Sequence, residues 1–399
     1  MNITGIITEY NPFHNGHKFH IDESKKLTNC DGIICVMSGN FTQRGLPAIL
    51  DKWNRTKMAL ENGVDLVIEL PTIFATSSAE FFSFGAVSIL NSTNVVNSLC
   101  FGSEIGDSEI LKSIATILLN NIENFNLQVK NEMKKGISFP KAREIVIGNI
   151  MNDETLSNLI NSPNNILGIE YCKSILKLKS SITPVSIKRV GSNYNDTVAF
   201  TKLASATAVR ELIQNNNLDE CKRLMPESSF AILEKLTDNK YTFPIEDHMF
   251  NFIKYKLITT PDLLSAIPDV SEGLDNKILK ELINCNSYED LLFRTKSKRY
   301  TLTRISRILC HIFLGFENYP IHQLRKTAPK YLRVLGLNRR GREILKEIKL
   351  RGDIEIITKL PREINDPMLK LDIASTNCYS LLNKHINYNA DYLTSPIIK

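Results

Sequence analysis

Three of the chain's 7 histidines fall in the segment EYNPFHNGHKFH, residues 9–20, close to the N-terminus. Two of them, His14 and His17, are three residues apart, so both imidazoles point the same way on a first helical turn. Gly16 between them carries no side chain, which lets a base or a ribose lie flat against the backbone. A pair of imidazoles facing a phosphate can donate hydrogen bonds to the oxygens on which charge grows during substitution at phosphorus. The segment therefore predicts a nucleotide site that needs no covalent intermediate.

Two other interpretations of the histidine segment stay open at this stage. The histidines could be ordinary surface residues of a helix. They could also bind a metal together with His20, although no nearby acidic residue completes a usual ligand set.

The surrounding elements place this segment at the edge of a sheet. The apolar run at residues 3–8 predicts a buried strand, Asn11-Pro12 predicts a turn, and a helix is expected to begin near His14. Loops at the carboxyl ends of parallel strands are where open α/β sheets bind ligands, and a helix N-terminus suits phosphate. Further strands are predicted at residues 32–39, 64–71, 97–104 and 183–190, with helical patterns such as 47–63 and 77–92 between them. This alternation predicts a parallel sheet of β-α-β units.

Three motifs near the later strands offer further groups for a nucleotide. Gly102, in CFGSE at the end of a predicted strand, permits close approach by a ligand or marks a simple turn. Asn164, in SPNN before a predicted helix, has an amide that suits an adenine edge, although an asparagine here could also cap that helix. Lys188 and Arg189 end the strand SIKR and suit a triphosphate, the alternative being a solvated basic edge.

The segment ASATAVREL, residues 204–212, begins another predicted helix. Ser205 and Thr207 can offer hydroxyl and N–H groups to phosphates, and Arg210 lies one turn into the helix. An ordinary capped helix is the alternative.

The loop after the second predicted strand, SGNFTQRG at residues 38–45, contains glycines that predict flexibility. Such a loop could close over a second substrate, and Arg44 could hold a small carboxylate. A surface loop without a role is the alternative.

Composition bounds the class of protein. The 8 cysteines are scattered without a C-x-x-C pair, which favours buried reduced thiols over a zinc site. No apolar run approaches the roughly 18 residues that cross a bilayer, and the N-terminus lacks the pattern of a secretory signal. We therefore expect a cytoplasmic protein. Its net charge of +6 is mild, so the distribution of charge matters more than the total.

Positive charge is concentrated in the second half of the chain. From about residue 223 the pattern becomes helical, which predicts two domains, at residues 1–222 and 223–399. Basic residues interleaved with Tyr300 and Tyr331 suit an RNA backbone, although a solvated helical face is the alternative. They cluster at residues 293–311 and 324–346 and include Arg294, Lys296, Lys298, Arg299, Arg304 and Arg307.

The segment H-N-G-H resembles the H-x-G-H signature of the nucleotidyltransferase superfamily. A longer set of segments resembles the bacterial tRNA(Met) cytidine acetate ligase family, and the likeness extends through most of the first 210 residues in the expected order. The segments are GIITEYNPFHNGHKFHI, MSGNFTQRGLPAILDKWNRTKMAL, LCFGSE, SPNNILGIEY and SATAVR. One departure is Ala206, which stands where the I-S-S-T-x-I-R motif of adenylyltransferases often has a polar residue.

This resemblance implies an α/β fold, in which a Rossmann-like nucleotidyltransferase domain with a parallel sheet precedes a mostly α-helical, tRNA-binding domain. It implies ATP, expected with Mg2+, as one substrate, and acetate and elongator tRNA(Met) as the other partners. No residue is predicted to ligate a metal. Catalytic roles are implied for His14, His17, Lys188 and Arg210, and ATP contacts for Ile7, Thr8, Glu9, Tyr10, Asn11, Pro12, Phe13, His14, Asn15, Gly16, His17, Lys18, Phe19, His20, Gly102, Asn164, Arg189, Ser205 and Thr207.

Two rival functions stay open. An adenylyltransferase that makes a dinucleotide cofactor would share the ATP site, but it gives no reason for a large basic helical half. A non-catalytic RNA-binding protein with a degenerate nucleotide site is the second rival, and the intact His14, His17, Arg189 and Arg210 argue against it.

Overall fold

The computed structural model describes residues 1–120, 122–137, 139–151, 162–189, 205–297 and 299–399. Its centre is a mixed sheet built from the strands β1 (Ile3–Thr8), β2 (Gly32–Ser38), β3 (Leu66–Leu70), β4 (Val96–Ser103), β5 (Thr183–Lys188), β6 (Tyr331–Leu337), β7 (Glu355–Ile357) and β8 (Ile397–Ile398). The strand order is β5-β4-β1-β2-β3-β6-β7, and β8 also pairs with β6. Neighbouring strands are parallel except β3 and β6, which are antiparallel. The five strands predicted in the first half are confirmed.

Helices cover both faces of the sheet and form most of the second half. Among the described residues, none of the helices has the length and apolar character needed to span a membrane. In the described part of the chain, short 3-10 helices span Glu246–Met249, Pro261–Ala266 and Phe316–Asn318. The α-helices are α1 (Asn15–Thr28), α2 (Lys52–Glu61), α3 (Thr72–Ala75), α4 (Ala79–Ser92), α5 (Ser108–Asn120), α6 (Ile122–Lys134), α7 (Phe139–Met151), α8 (Pro163–Lys177), α9 (Ala206–Gln214), α10 (Leu218–Leu224), α11 (Glu227–Asp238), α12 (Phe250–Thr259), α13 (Leu274–Leu282), α14 (Tyr288–Thr295), α15 (Leu302–Leu314), α16 (Ile321–Leu324), α17 (Arg339–Arg351), α18 (Pro367–Leu382) and α19 (Ala390–Leu393).

The central strand β2 shows why this sheet is buried on both sides. All seven of its residues are buried, as expected for a parallel strand with helices on each face. Successive side chains point to opposite faces, so Ile33 and Cys35 belong to one apolar cluster while Ile34 and Val36 belong to the other. The two clusters hold the helices against the sheet and so fix the loops at its edges.

The helix predicted at residues 47–63 begins later than its apolar pattern suggested. It starts at Lys52, because the Asp51 carboxylate accepts the backbone N–H groups of Trp53 and Asn54, each at 3.0 Å. Residues 40–48 form a turn instead, in which Phe41 and Pro47 make an isolated antiparallel bridge.

The second half is mostly helical, as predicted, but it also contributes three strands that the sequence pattern did not reveal. β6 returns to the sheet beside β3, with Leu337 opposite Leu66. One apolar cluster also contains both Phe41 and Phe313, whose ring centroids are 6.1 Å apart. The boundary proposed at residue 222 stays a prediction, and residues on its two sides share a sheet and a core.

A buried network of four charged side chains joins the C-terminal segment to the sheet. Lys52 Nζ lies 2.6 Å from Glu69 Oε1 and 2.8 Å from Asp391 Oδ1, and Arg333 Nη2 lies 2.8 Å from Asp391 Oδ1. All four side chains are at most 6% exposed. Each charge has an opposite partner within the network, which is what makes their burial tolerable.

Candidate active site

The sequence-predicted site lies where the strand order reverses direction. From β1 the chain moves to β2 and β3 on one side, whereas β4 and β5 lie on the other side. Open α/β sheets bind ligands in the crevice beyond the carboxyl ends of strands at such a switch point. The loops that follow β1, β2 and β4 and the described end of β5 lie at this edge, which explains why the predicted residues come from distant parts of the chain.

His14 and His17 build the first turn of α1 between them. His14 is the N-cap, and its Nδ1 accepts the Gly16 N–H at 3.0 Å. The Nδ1 of His17 accepts the backbone N–H of His14 at 3.2 Å, which completes a reciprocal capping box made of two imidazoles. The two rings stack with centroids 3.7 Å apart and an angle of 25° between their planes. The surface-helix interpretation is therefore wrong for His14, which is only 8% exposed.

These contacts determine the protonation state of both rings. Burial, together with the nearby Arg189 and Arg210 charges, lowers the pKa of His14 to about 4. Burial and the neighbouring His14, His20 and Arg189 hold the pKa of His17 well below its usual value. Both imidazoles are therefore neutral at pH 7, and because each Nδ1 accepts a hydrogen bond, the proton is on Nε2. The site thus presents two Nε2–H donors from two adjacent, uncharged rings.

Aromatic side chains from the preceding turn hold the pair in place. Tyr10 and Phe13 are fully buried, and their ring centroids lie 4.9 and 5.5 Å from that of His17. His20 lies one turn further along α1, beside the Cys100 backbone of β4, and burial lowers its pKa to about 4. Within the described residues, no group of three or more His, Cys, Asp or Glu side chains could hold a metal ion.

A second group of predicted residues meets at the ends of β4 and β5. Arg189 Nη1 donates to Asn164 Oδ1 at 2.9 Å, and Asn164 Nδ2 donates to Glu104 Oε1 at 2.6 Å. A Cβ placed on Gly102 would lie 3.3 Å from the Arg189 Cγ, so this glycine leaves room for the aliphatic part of the Arg189 side chain. The structure therefore brings Gly102, Asn164 and Arg189 together, and the Coulombic effect of Arg189 on His14 joins them to the histidine pair.

Asn165 is a neighbour whose role the sequence did not separate from that of Asn164. Its side chain is fully buried, and Oδ1 accepts the N–H groups of Glu104 and Ile105 at 2.9 and 3.1 Å. Asn165 therefore holds the chain leaving β4, while the partly exposed Asn164 faces Arg189.

The helix α9 brings the third group to the same edge. Arg210 Nη1 donates to the Asn11 carbonyl at 2.9 Å, and Nη2 donates to Thr207 Oγ1 at 3.0 Å. Ser205 is the N-cap, and its Oγ accepts the Ala208 N–H at 3.2 Å. α9 is therefore a capped helix, which the sequence offered as the alternative to a phosphate site. The same helix holds Arg210 against the turn before α1.

Lys188 lies apart from these groups. Its Cβ is close to Gly106, at the start of the segment leading to α5, while Arg189 turns toward Gly102. Consecutive residues of a strand point to opposite faces, which explains why two adjacent basic residues do not converge. Its catalytic role stays a prediction, and residues 190–204 lie outside the described part of the chain.

The loop after β2 is anchored to α15, contrary to the expectation of flexibility. The Gly45 N–H donates to Thr42 O at 2.9 Å, and a Cβ on Gly45 would lie 2.6 Å from the Arg307 Cα. Gly45 also has φ of +73°, a conformation that favours glycine. This packing presents Arg44 to solvent, where its charge acts on both Glu9 and Arg210.

Arg55 is a buried residue that the sequence analysis missed. Its guanidinium is fully buried and donates to the carbonyls of Glu9 at 2.7 Å, Ser38 at 3.0 Å and Gly39. It therefore ties together the carboxyl ends of β1 and β2. Its position within an apparently ordinary amphipathic helix gave no sign of this role.

Several members of the predicted RNA-binding cluster make contacts within the protein. Arg294 pairs with Asp290 at 2.5 Å, and Arg304 Nη2 donates to Asp269 O and Ser271 Oγ, each at 2.8 Å. Lys296 and Arg299 are exposed, whereas Lys298 is outside the described residues. The charge available for RNA on this segment is therefore smaller than the sequence suggests.

Comparisons with known proteins identify the family of this chain and match its overall fold. The model of the family described as HIGH Nucleotidyl Transferase matches residues 1–392. The tRNA(Met) cytidine acetate ligases of Clostridium perfringens and Clostridium novyi are each 52% identical to this chain, which is covered completely, as is 99–100% of each relative. The crystal structure of Thermotoga maritima TmcAL bound with alpha-thio ATP has a TM-score of 0.91 at 33% identity, covering 100% of this chain and 99% of that one. The chain therefore belongs to the HIGH nucleotidyl transferases and, among them, to the family of the tRNA(Met) cytidine acetate ligases.

Proposed function

We propose that this chain is an ATP-dependent ligase that acetylates the wobble cytidine of elongator tRNA(Met) to N4-acetylcytidine, through an acetyl-adenylate. The observation that carries the proposal is the stacked pair of neutral imidazoles at the switch point, with Nε2–H donors available for a phosphate. The names of the curated relatives supply the acceptor, and the ATP analogue in the Thermotoga structure supports the nucleotide. An enzyme that acts on tRNA would work in the cytoplasm.

In the first step, an acetate oxygen attacks the α-phosphorus of ATP and pyrophosphate leaves. The Nε2–H groups of His14 and His17 donate to the α-phosphate oxygens as their charge grows. Arg189 and Arg210 hold the β- and γ-phosphates, and Lys188 would assist only after its side chain turns from its present position beside Gly106. Arg44, at the exposed tip of the anchored loop, holds the acetate carboxylate.

Mg2+ would arrive on the ATP phosphates and neutralise part of their charge. The described residues offer no cluster of carboxylates that would hold the ion by themselves, so no step here depends on it. In the second step, the exocyclic amine of cytidine takes the acetyl group and AMP leaves. The basic second half would position the tRNA.

The proposal is tested by incubating the protein with ATP, isotopically labelled acetate and tRNA. Mass spectrometry of the tRNA nucleosides should show labelled N4-acetylcytidine, and labelled pyrophosphate should enter ATP only when acetate is present. A dinucleotide product would favour the cofactor-forming adenylyltransferase instead. ATP binding without any turnover would favour the non-catalytic RNA-binding protein, and either result would contradict the proposal.

A further inference from the structure

Glu9 is one of the expected ATP contacts, but the adenylation step proposed above gives its carboxylate no role. It directly follows β1, it is partly exposed, and its Oε1 accepts the Gln43 N–H at 2.7 Å. Within the described part of the chain, the Glu9 carboxylate accepts no other hydrogen bond. The second oxygen, Oε2, is therefore left for a ligand.

Arg210 connects Glu9 to the histidine pair. The positive charge of Arg210 lowers the pKa of His14, and the negative charge of Glu9 acts on Arg210 in turn. Arg210 Nη1 also donates to the Asn11 carbonyl at 2.9 Å, and Asn11 lies between Glu9 and His14 in the turn after β1. The groups predicted to hold the nucleotide lie toward β4 and β5, whereas Glu9 contacts the loop that follows β2. An acyl group formed on the α-phosphate would therefore lie between the nucleotide and Glu9.

The acyl transfer requires a proton acceptor that His14 and His17 cannot provide. The amine of cytosine must lose a proton as it forms an amide, but the Nδ1 of His14 and of His17 already accepts a backbone N–H, and each Nε2 carries a proton. Arginine side chains stay protonated and cannot act as bases. The Glu9 carboxylate keeps a basic lone pair on Oε2, whereas both oxygens of Glu104, the carboxylate at the ends of β4 and β5, already accept a hydrogen bond from Asn164 or Asn165.

We propose that Glu9 is the general base of the acyl-transfer step and accepts a proton from N4 of the incoming cytidine. This inference rests on the proposed function. The N4 lone pair attacks the acetyl carbon and forms the C–N bond, while the bond from that carbon to the phosphate oxygen breaks and its electron pair leaves with AMP. The N4 proton passes to Glu9 and then to solvent.

The same carboxylate would also recognise the base. A carboxylate accepts a hydrogen bond from the N4 amine of cytosine, whereas the O4 atom of uracil is an acceptor and would be repelled. Burial raises the pKa of Glu9 above its usual value, although the Gln43 N–H and the Arg55, Arg210 and Arg44 charges oppose this effect. The nearby Tyr171 phenol is kept protonated, because burial and the Glu9 charge raise its pKa. A carboxylate with a raised pKa is a stronger base near neutral pH.

The test separates the two half-reactions in Glu9→Gln. Glutamine retains an oxygen that accepts the Gln43 N–H, and the backbone of residue 9 is unchanged. Because residue 9 is also an expected ATP contact, the two half-reactions are compared as a ratio: we expect single-turnover transfer to tRNA to fall roughly 10²–10⁴-fold, and by at least about tenfold more than acetate-dependent ATP–pyrophosphate exchange falls. In the wild type, the transfer rate should also fall at low pH as Glu9 takes up a proton, and Glu9→Gln should lose this dependence. The matched control is Glu246→Gln, which removes another carboxylate that acts on Arg210 and should leave the ratio of transfer to exchange unchanged.

The outcomes of this test distinguish a general base at Glu9 from other roles of this residue. Equal losses in both half-reactions would show that Glu9 only positions the loop, and unchanged transfer would show that another group takes the proton. Either outcome overturns the inference while leaving the proposed function in place. If the wild type makes no N4-acetylcytidine, the proposed function itself fails, and this inference falls with it.

Discussion

The imidazole rings of His14 and His17 stack 3.7 Å apart, and each ring accepts a backbone N–H from the turn that both residues form. The same two residues therefore begin the helix and present donors to the ligand. A helix start is usually built by short polar side chains such as serine or aspartate. Here the larger imidazoles satisfy the backbone through Nδ1 and still present Nε2–H outward, so structure and chemistry are coupled in one turn.

This coupling predicts different outcomes for two substitutions of His14. His14→Asn keeps a side-chain oxygen that can cap Gly16 but loses the Nε2–H donor, so exchange should fall by roughly 10²–10³ with little loss of stability. His14→Ala loses both, and should also lower the free energy of unfolding by about 1 kcal/mol. Exchange assays and denaturant unfolding measure the two effects. Full exchange activity in His14→Asn would contradict the assigned role.

The pKa of His14 predicts how stability depends on pH. Its pKa is about 4 in the folded protein and near 6.5 in the unfolded chain, so the stabilising contribution is complete above pH 6.5 and is lost as pH falls toward 4. Between pH 7 and pH 5 this residue alone should cost about 2 kcal/mol. His17 and His20 act in the same direction. Unfolding by denaturant at both pH values should show a smaller loss in His14→Asn than in the wild type, and an equal loss would contradict the shift.

The neighbouring asparagines of α8 should behave differently. Asn164→Ala removes the partner of Arg189 and should raise the KM for ATP about tenfold with unchanged stability. Asn165→Ala leaves two partly buried N–H groups without their acceptor and should lower the free energy of unfolding by about 1–3 kcal/mol. Steady-state exchange kinetics and thermal unfolding distinguish the two, and reversed effects would show that their roles are exchanged.

The anchored loop predicts an unequal effect of two glycine substitutions. Gly45→Ala adds a Cβ against the Arg307 backbone at φ of +73°, and should lower the free energy of unfolding by more than about 2 kcal/mol. Gly136 also has a positive φ, +83°, but among the described residues no atom of a neighbour lies within 4 Å of its added Cβ. Gly136→Ala is therefore the matched control, with an expected cost of about 1 kcal/mol. Equal costs in denaturant unfolding would mean that the loop moves freely.

Breaking the buried charge network should lower the free energy of unfolding more than any of the substitutions above. Asp391→Asn removes the carboxylate that both Lys52 and Arg333 contact, and leaves buried positive charge uncompensated. We expect a loss of about 3–5 kcal/mol in the free energy of unfolding. Lys18→Ala, which breaks an exposed pair with Asp22, should change it by less than about 1 kcal/mol in the same measurement.

The parts of the fold that follow local periodicity could be predicted from the sequence. The strands of the first half are marked by apolar runs. The turn after β1 is marked by Asn11-Pro12, and the spacing of His14 and His17 indicates the start of a helix. β6 escaped prediction because its partner strand is more than 250 residues earlier in the chain, at Leu66–Leu70. Nothing local in YLRVLGL indicates an antiparallel place beside β3.

Some features of the candidate site could also be predicted from the sequence, whereas others depend on the tertiary structure. Residue types and spacing by themselves determined that His14 and His17 share one helical face, and that glycine, amide and guanidinium groups follow the other strands. Only the tertiary structure decided that Arg189 meets Asn164 while Lys188 turns away, that Arg55 joins two strand ends, and that Gly45 rests against α15. The physical reason is that the direction of a side chain and the partners of a buried charge depend on which elements pack together, and that packing is set by contacts between residues far apart in the chain.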